Sequence, residues 1–165
     1  MNQKFLKYYM DIAKRTAKLS SAVRLQVGAI AVKDDKIISI GYNGTPSGWD
    51  NDCEYKIYKS SEVLSSIKFP HENNQWIYED EHGPYRLKSK PEVIHAESNC
   101  ISKLARSPES GNGTTMFITH APCMECAKLI YQTGIKEVYY ANEYRSTDGI
   151  EFLKKCGIVI SHFSD

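Results

Sequence analysis

The segment Pro122-Cys123-Met124-Glu125-Cys126 decides how the fold of this chain is interpreted, together with His95-Ala96-Glu97 earlier in the sequence. Each segment stands where an apolar pattern with helical spacing begins. Two cysteines three residues apart at a helix N-terminus can point at one ion, and the unpaired backbone amides there favour thiolates. We therefore expect two helix starts to meet at one site.

The residues His95, Cys123 and Cys126 form a ligand set that is typical of zinc. Zinc binds thiolate sulfur together with imidazole nitrogen, and three protein ligands leave a fourth tetrahedral position for water. The metal lowers the pKa of that water toward about 7. Glu97 follows the histidine by two residues, so its carboxylate can face the water without binding the metal. These four residues predict a catalytic zinc centre in which Glu97 carries protons.

Simpler interpretations of these motifs stay open at this point. A Cys-x-x-Cys pair is common in structural zinc sites and in redox pairs, and a single histidine such as His95 is often a hydrogen-bonded core residue. A structural site would require a fourth Cys or His ligand, whereas a redox motif would need no histidine partner. A zinc-binding module without activity would not require Glu97. The two segments together favour catalysis.

The rest of the chain alternates between predicted helices and strands. Phe5, Tyr9, Ile12 and Thr16 define the apolar face of the first helix, and both strands of the first pair are apolar enough to indicate burial on two faces. In chain order we predict helix 3–19, strands 27–32 and 36–42, helix 95–106, strand 114–119, helix 122–134, strand 136–141, helix 148–156 with an Asp148 N-cap, and strand 158–162. This order predicts an α/β fold with a central mixed five-stranded sheet flanked by helices.

Residues 47–93 interrupt the alternation of helices and strands. They are polar, contain scattered aromatic residues and have weak periodicity. A connection of this length inside a compact domain is usually functional or contains short elements of its own. We therefore predict a single domain over residues 1–165, with an insertion at about 47–93 beside the site.

The composition of the chain excludes some classes of function. Its 165 residues fit one domain, and its 21 basic residues exceed the 20 acidic ones by one, so it has no general attraction for nucleic acid. It has no apolar run long enough to cross a membrane and no apparent signal peptide, which favours the cytoplasm. Five cysteines, an odd number, favour free thiols and metal ligands over a disulfide framework.

The two motifs resemble those of the zinc-dependent cytidine/deoxycytidylate deaminase superfamily, and further segments resemble the deoxycytidylate (dCMP) deaminases. These segments are Val27-Gly28-Ala29, Gly41-Tyr42-Asn43-Gly44-Thr45-Pro46, Cys126-Ala127-Lys128-Leu129-Ile130 and Gly134-Ile135-Lys136-Glu137-Val138. The resemblance covers almost the whole chain outside residues 55–93. It implies a three-layer cytidine-deaminase-like fold and the hydrolysis of dCMP to dUMP and ammonia, which would supply thymidylate synthesis. In that reaction hydroxide attacks C4 while Glu97 moves protons to N3 and to the leaving amine.

The resemblance also implies roles for residues outside the metal centre. Asn43 would bind the deoxyribose hydroxyl, although Asn-Gly is also a common turn pair. Tyr144 would stand at the pocket edge, or it is simply an exposed tyrosine. Arg24 is a candidate ligand for the 5′-phosphate, which a guanidinium can bind through two hydrogen bonds, or it is a solvated arginine at a helix end.

Regulation and assembly are expected on the same basis. The resemblance implies that dCTP with Mg²⁺ activates and dTTP with Mg²⁺ inhibits, at a site near Gly44 and Arg106, and that the enzyme is a homohexamer. We expect one zinc per chain, because the remaining candidate ligands Cys53, His71 and His82 are irregularly spaced. Polynucleotide-editing, cytidine and riboflavin-pathway deaminases share the zinc signature. Resemblance to the last two does not extend through the Gly41–Pro46 turn. The balanced net charge does not indicate the basic channel that a polynucleotide strand would require.

Overall fold

Two β-sheets and four helices organise the chain in the computed structural model, which describes residues 2–59 and 78–164. The elements are α1 Gln3–Ala17, β1 Gly28–Lys33, β2 Lys36–Tyr42, β3 Glu54–Tyr58, β4 Tyr78–Asp80, β5 Gly83–Ser89, α2 Ala96–Ala105, β6 Thr115–His120, α3 Met124–Gln132, β7 Glu137–Asn142, α4 Asp148–Lys155 and β8 Val159–His162. Within the described residues, no helix combines the length and the apolar composition that crossing a bilayer requires.

The larger sheet has five strands in the order β2-β1-β6-β7-β8. Strand β1 pairs antiparallel with β2 and β6, whereas β6, β7 and β8 run parallel. Side chains alternate across β1, so that Ile30 and Val32 pack with α1 while Ala29 and Ala31 join the core cluster of α2, α3 and α4. The sheet is therefore the middle of three layers, and the predicted mixed five-stranded fold is confirmed.

The first two strands differ in burial. Strand β1 lies inside the sheet and is buried on both faces, as predicted. Strand β2 lies at the sheet edge, where Ser39 and Gly41 are buried but Ile37 and Ile40 are exposed. The prediction that both strands are buried on two faces was wrong for β2, because α2 covers the face that carries Ser39 and Gly41 while Ile40 on the opposite face stays exposed.

The turn between β1 and β2 consists of Asp34 and Asp35. Both residues have positive φ, 47° and 58°, which is the left-handed conformation that two-residue hairpin turns of type I′ require. Aspartate tolerates this conformation better than most residues. The hairpin therefore closes tightly without the glycine that usually marks such a turn.

Two predictions about helix details were wrong. Phe5 is 44% exposed, because the buried stripe of α1 begins at Tyr9 and continues through Met10 and Ala13. The N-cap of α4 is Thr147, and Asp148 is its first helical residue, where the carboxylate still faces the positive end of the helix. Neither difference changes the order of the layers.

The predicted insertion contains a second, three-stranded antiparallel sheet in the order β3-β5-β4. Glu54 of β3 pairs with Ser89 of β5, which brings the two ends of the segment together. The chain then continues into Ile94, which forms an antiparallel bridge with Gly44. The small sheet is thereby joined to the end of β2 and to the start of α2.

Candidate active site

The side chains of His95, Cys123 and Cys126 meet at the N-terminal ends of α2 and α3. His95 and Cys123 are the N-cap residues of these helices, and neither side chain caps its own helix. The Nδ1 atom of His95 lies 3.4 Å from the Sγ of Cys126 and 3.6 Å from the Sγ of Cys123. The predicted convergence of two helix starts is therefore present.

The spacing of these three ligand atoms fits zinc. Tetrahedral nitrogen and sulfur ligands at about 2.0–2.3 Å from the ion lie about 3.6 Å apart, which matches the two measured separations. All three atoms lie within 4.8 Å of one another, and the carboxylate of Glu97 is outside the group. In residues 2–59 and 78–164 no other group of three or more His, Cys, Asp or Glu side chains has such geometry.

Hydrogen bonding within the ligand group favours ionisation of one of the two thiols, Cys123. Bonds from Cys126 and His95 lower the pKa of Cys123, while the bond to Cys123 and burial raise the pKa of Cys126. The hydrogen bond between His95 and Cys123 raises the pKa of His95. Cys123 is therefore the thiol that ionises first, and metal binding would displace the remaining proton.

Glu97 is a buried carboxyl group in the first turn of α2. Its side chain is 4% exposed, and this burial raises its pKa to about 7. A group with a pKa near the working pH can both accept and release a proton. The environment of Glu97 therefore suits the proton-carrying role predicted from the sequence.

The C-terminal end of β2 holds α2 in place. A Cβ atom at Gly41 would overlap the backbone of Ala96 and Cys100, so this strand and this helix are in direct backbone contact. The side chain of Asn99 donates to the carbonyl of Tyr42 over 2.9 Å. The position of the metal-binding helix start therefore depends on a glycine in the Gly41–Pro46 segment.

A cavity of about 580 Å³ opens beside the ligand group. It is lined by the predicted residues Arg24, Asn43 and Tyr144 together with His95, Glu97 and Cys123. The structure thus brings all three residues predicted for substrate binding to the same cavity as the predicted metal ligands His95 and Cys123.

The side chain of Asn43 also holds the backbone beside the cavity. Its Oδ1 accepts from the amide of Val27 over 2.7 Å, and its Nδ2 donates to the carbonyl of Leu25 over 2.8 Å. One amide proton of Asn43 is left for another partner, since the group carries two. Its role toward a sugar stays a prediction.

The other two predicted cavity residues each have a polar neighbour. Arg24 donates from Nη1 to the hydroxyl of Ser89 over 3.3 Å. The hydroxyl of Tyr144 accepts from Arg145 over 2.8 Å. Both side chains are therefore positioned by residues that sequence reasoning did not predict for the site.

Sequence reasoning missed several residues of the cavity wall: Ser89, Lys90, His120, Glu143 and Arg145. The last three stand at or just after the ends of β6 and β7. The carboxyl ends of neighbouring parallel strands meet at one sheet edge, and that signal was available in the sequence. Ser89 and Lys90 belong to the insertion, at the end of β5. No local pattern in the sequence revealed that β5 pairs with β3.

The residues predicted for effector binding are not together in one chain. Gly44 lies beside Ile94, just before α2, whereas Arg106 is the C-cap of that helix. At 1.5 Å per residue the ten residues of α2 place the two helix ends about 15 Å apart. The structure brings neither residue into the cavity described above.

The candidate ligands for a second zinc are also separated. Cys53 precedes β3 and lies 3.4 Å from the hydroxyl of Ser21, whereas the ring of His82 packs on Tyr58 at the other end of that strand. At about 3.3 Å per residue these ends are about 17 Å apart. His71, the third candidate, lies outside the described residues.

Comparison with known proteins identifies the class. The family described as the cytidine and deoxycytidylate deaminase zinc-binding region matches residues 3–142. The chain belongs to this family and is accordingly a hydrolytic deaminase. The resemblance predicted from the sequence is therefore confirmed.

Particular relatives agree with this assignment. The chain is 33% identical to the deoxycytidylate deaminase of Enterobacteria phage T4 over 147 residues, which cover 82% of this chain and 76% of the relative. It is also 33% identical to the deoxycytidylate deaminase of Homo sapiens over 143 residues, covering 86% and 67%. The crystal structure of the dCMP deaminase from cyanophage S-TIM5 in complex with dCMP and dUMP is 37% identical, covers 99% of both chains and has a TM-score of 0.76.

Proposed function

We propose that this chain catalyses the zinc-dependent hydrolysis of dCMP to dUMP and ammonia. The observation that carries the proposal is a zinc-compatible group of His95, Cys123 and Cys126 at the edge of a cavity that His95, Cys123 and the buried Glu97 line. The likeness to the cyanophage S-TIM5 dCMP deaminase, which extends over 99% of both chains, supports the choice of substrate.

The proposed mechanism uses Glu97 as the only proton carrier. His95, Cys123 and Cys126 would hold zinc, which supplies hydroxide at neutral pH when it is bound. Glu97 accepts the proton that water releases and delivers a proton to N3 of the cytosine ring. The same carboxyl group then assists the departure of the 4-amino group. Water is consumed, and the amino group at C4 is replaced by an oxygen.

The cavity wall offers positive charge for a 5′-phosphate. Arg24, Lys90 and Arg145 line the cavity, together with the acidic residues Glu97 and Glu143. Lys90 is held in an ion pair with Asp52 at 3.0 Å. Charge-assisted bonds from guanidinium groups to phosphate are among the stronger polar contacts. We assign Arg24 to the phosphate, in agreement with its cavity position.

A substrate panel tests this proposal. The zinc-loaded protein is assayed for ammonia release from dCMP, CMP, cytidine and single-stranded DNA at fixed salt, with dCTP present. We expect kcat/KM for dCMP to exceed that for cytidine by about 10-fold or more, because cytidine lacks the 5′-phosphate and its charge-assisted hydrogen bonds. CMP should be disfavoured by the Tyr42–Gly44 turn near C2′. Equal activity on cytidine or on an oligonucleotide would overturn the substrate assignment.

Regulation by nucleoside triphosphates belongs to the same proposal. We infer that dCTP with Mg²⁺ activates and dTTP with Mg²⁺ inhibits, through Gly44 and Arg106. Because these residues lie at opposite ends of α2, a site shared between two copies of the chain would bring both to one effector, which accords with a homohexamer. The exposed Ile37 and Ile40 on the edge strand offer apolar surface for such contacts.

The test of regulation is Arg106→Ala, with Lys155→Ala as a control that removes an exposed positive charge elsewhere. Arg106→Ala should weaken both effector responses more than it changes basal turnover, since allostery requires differential effector binding. A wild-type dCMP saturation curve that neither triphosphate changes would exclude this regulation.

The proposed cellular setting is the cytoplasm, where the product dUMP would feed thymidylate synthesis. All five cysteines are free thiols in the structure. Free thiols persist in a reducing compartment, and a cysteine-based zinc site requires them to stay reduced. Fractionation of cells that express the chain would test this setting.

A further inference from the structure

His120 is a residue of the cavity wall to which the proposed mechanism gives no role. It is the last residue of β6, and its half-buried ring lines the cavity. Its Nδ1 atom lies 3.2 Å from the hydroxyl of Thr119, the preceding residue. Which of these two groups donates determines what the ring presents to a ligand.

The surroundings of Thr119 decide the direction of this hydrogen bond. Its hydroxyl is buried and already accepts from the amide of Gly28 over 3.1 Å. If the Nδ1 of His120 also donated to it, the hydroxyl proton would have no acceptor among the residues that the structure describes. A buried donor without an acceptor is costly. Thr119 therefore donates to His120, and the Nδ1 of His120 carries no proton.

A neutral imidazole with an unprotonated Nδ1 carries its proton on Nε2. Burial lowers the pKa of His120, which keeps the ring neutral. In the described part of the chain no group accepts a hydrogen bond from this Nε2, and the ring borders the cavity. The hydrogen bonds from Gly28 to Thr119 and from Thr119 to His120 thus leave the Nε2–H of His120 as a fixed donor for a bound molecule.

We propose that His120 is a specificity-determining residue whose Nε2–H donates to an acceptor oxygen of the bound pyrimidine nucleotide, with Thr119 as the residue that positions it. The inference rests on the proposed function. Two sources offer such oxygens, the base with its sugar and the 5′-phosphate. All of them are unchanged by deamination at C4, so the bond is made equally with substrate and product.

Equal binding of substrate and product makes a specific kinetic prediction. Loss of this bond should raise KM for dCMP and the inhibition constant for dUMP by the same factor, with kcat largely unchanged. The test variants of the zinc-loaded enzyme are His120→Leu, which removes the donor, and His120→Gln, which offers an amide N–H in its place. We expect a rise of about 10-fold in both constants for the leucine variant, and recovery to within about 3-fold for glutamine.

The outcomes separate the alternatives. Unchanged constants in His120→Leu, or a glutamine variant no better than leucine, overturn the proposal. Deoxycytidine, which lacks the phosphate, identifies the acceptor: a loss that disappears with this substrate indicates the phosphate, and a loss that persists indicates the base or sugar. Failure of the wild-type enzyme to deaminate dCMP would sink the proposed function instead.

A second measurement needs no substrate. The ¹⁵N shifts of the His120 ring in the zinc-loaded wild-type protein report which nitrogen carries the proton. We expect the proton on Nε2, and a proton on Nδ1 would overturn the inference whatever the kinetics. Thr119→Val removes the donor and should mix the two forms, whereas Thr119→Ser should preserve Nε2–H. The wild-type spectrum decides the matter even if the valine variant does not fold.

Discussion

The five-stranded and the three-stranded sheets are stabilised by different interactions. Strands β1 and β6 of the larger sheet are buried on both sides, and core residues such as Ile30, Met116 and Phe117 have no exposed surface. In the small sheet, the described strands bury few side chains and rely on cross-strand pairs such as Tyr78 with Tyr85 and Lys56 with Asp80. The predicted metal ligands lie at the N-terminal ends of α2 and α3, which pack on the five-stranded sheet. The three-stranded sheet contributes part of the cavity wall.

This difference indicates how chemistry and recognition are divided in the molecule. A catalytic centre requires side chains held to within a fraction of an ångström, and a close-packed core provides that precision. The part of the cavity wall that the small sheet supplies rests on exposed side-chain pairs. Its residues can be substituted with little loss of stability, since exposed pairs contribute little to the free energy of unfolding. We expect substitutions in the first region to have large effects and those in the second to have small ones.

The largest expected effect is that of Glu97→Gln. Because Glu97 moves protons without holding the metal, this variant should fold, retain zinc and lose activity by about 10³-fold or more. The matched control is Glu125→Gln, which changes an exposed carboxylate in α3. Turnover and elemental analysis of both purified proteins check the prediction. Near-wild-type turnover by Glu97→Gln would refute its role.

A pair of cysteine variants compares the two regions directly. Cys126→Ser should lose most of its zinc, because it removes one of three ligands, whereas Cys53→Ser should keep one zinc per chain. Both cysteines are buried, so the pair controls for burial. The measurement is the metal-to-protein ratio after extensive washing. A ratio near two in the wild type, or loss of one zinc in Cys53→Ser, would contradict a single metal centre.

A smaller effect is expected from Gly41→Ala. The new methyl group would overlap the backbone of α2, and overpacking of this kind costs about 1–3 kcal/mol of unfolding free energy. Gly44→Ala is the control, because a methyl group there meets no atom within 4 Å, and its change should stay within about 0.5 kcal/mol. Urea unfolding of both variants gives the comparison. Equal destabilisation would show that the close contact at Gly41 is not needed.

The smallest effect is expected in the small sheet. The hydrogen bond from Lys56 holds the pKa of Asp80 down to about 2. A carboxyl group whose pKa is lowered on folding stabilises the folded protein at pH values above its ordinary pKa of 3.8. This stabilisation is lost as the pH falls through about 2. Asp80→Asn should therefore differ slightly from wild type at pH 6, and the difference should fade in acid.

Glu79→Gln is the control for Asp80→Asn, because it changes an exposed carboxylate on the same strand. Hydrogen exchange of the small sheet at several pH values measures the effect. A difference that grows as pH falls would have the wrong sign. Loss of deaminase activity in Asp80→Asn would show that the small sheet matters more than its weak pairing indicates.

The sequence was sufficient to group the candidate metal ligands, because they are adjacent to helix starts that local patterns reveal. His95, Cys123 and Cys126 could be grouped by the chemistry of zinc alone. The same local patterns could not show that β2 is an edge strand, since strand order depends on pairing between distant segments. Nor could they reveal that Lys90 reaches the cavity, because it does so through pairing inside the insertion.

The pairing of β1 with β6 has a consequence for folding. Strand β6 is synthesised only after the whole insertion, so the central sheet closes through a contact between distant parts of the chain. Non-local pairing of this kind slows folding. The length of the intervening loop, however, enters only as a logarithm, about 0.6 kcal/mol for each doubling. The insertion can therefore grow or shrink over evolutionary time while the folded core keeps nearly the same stability.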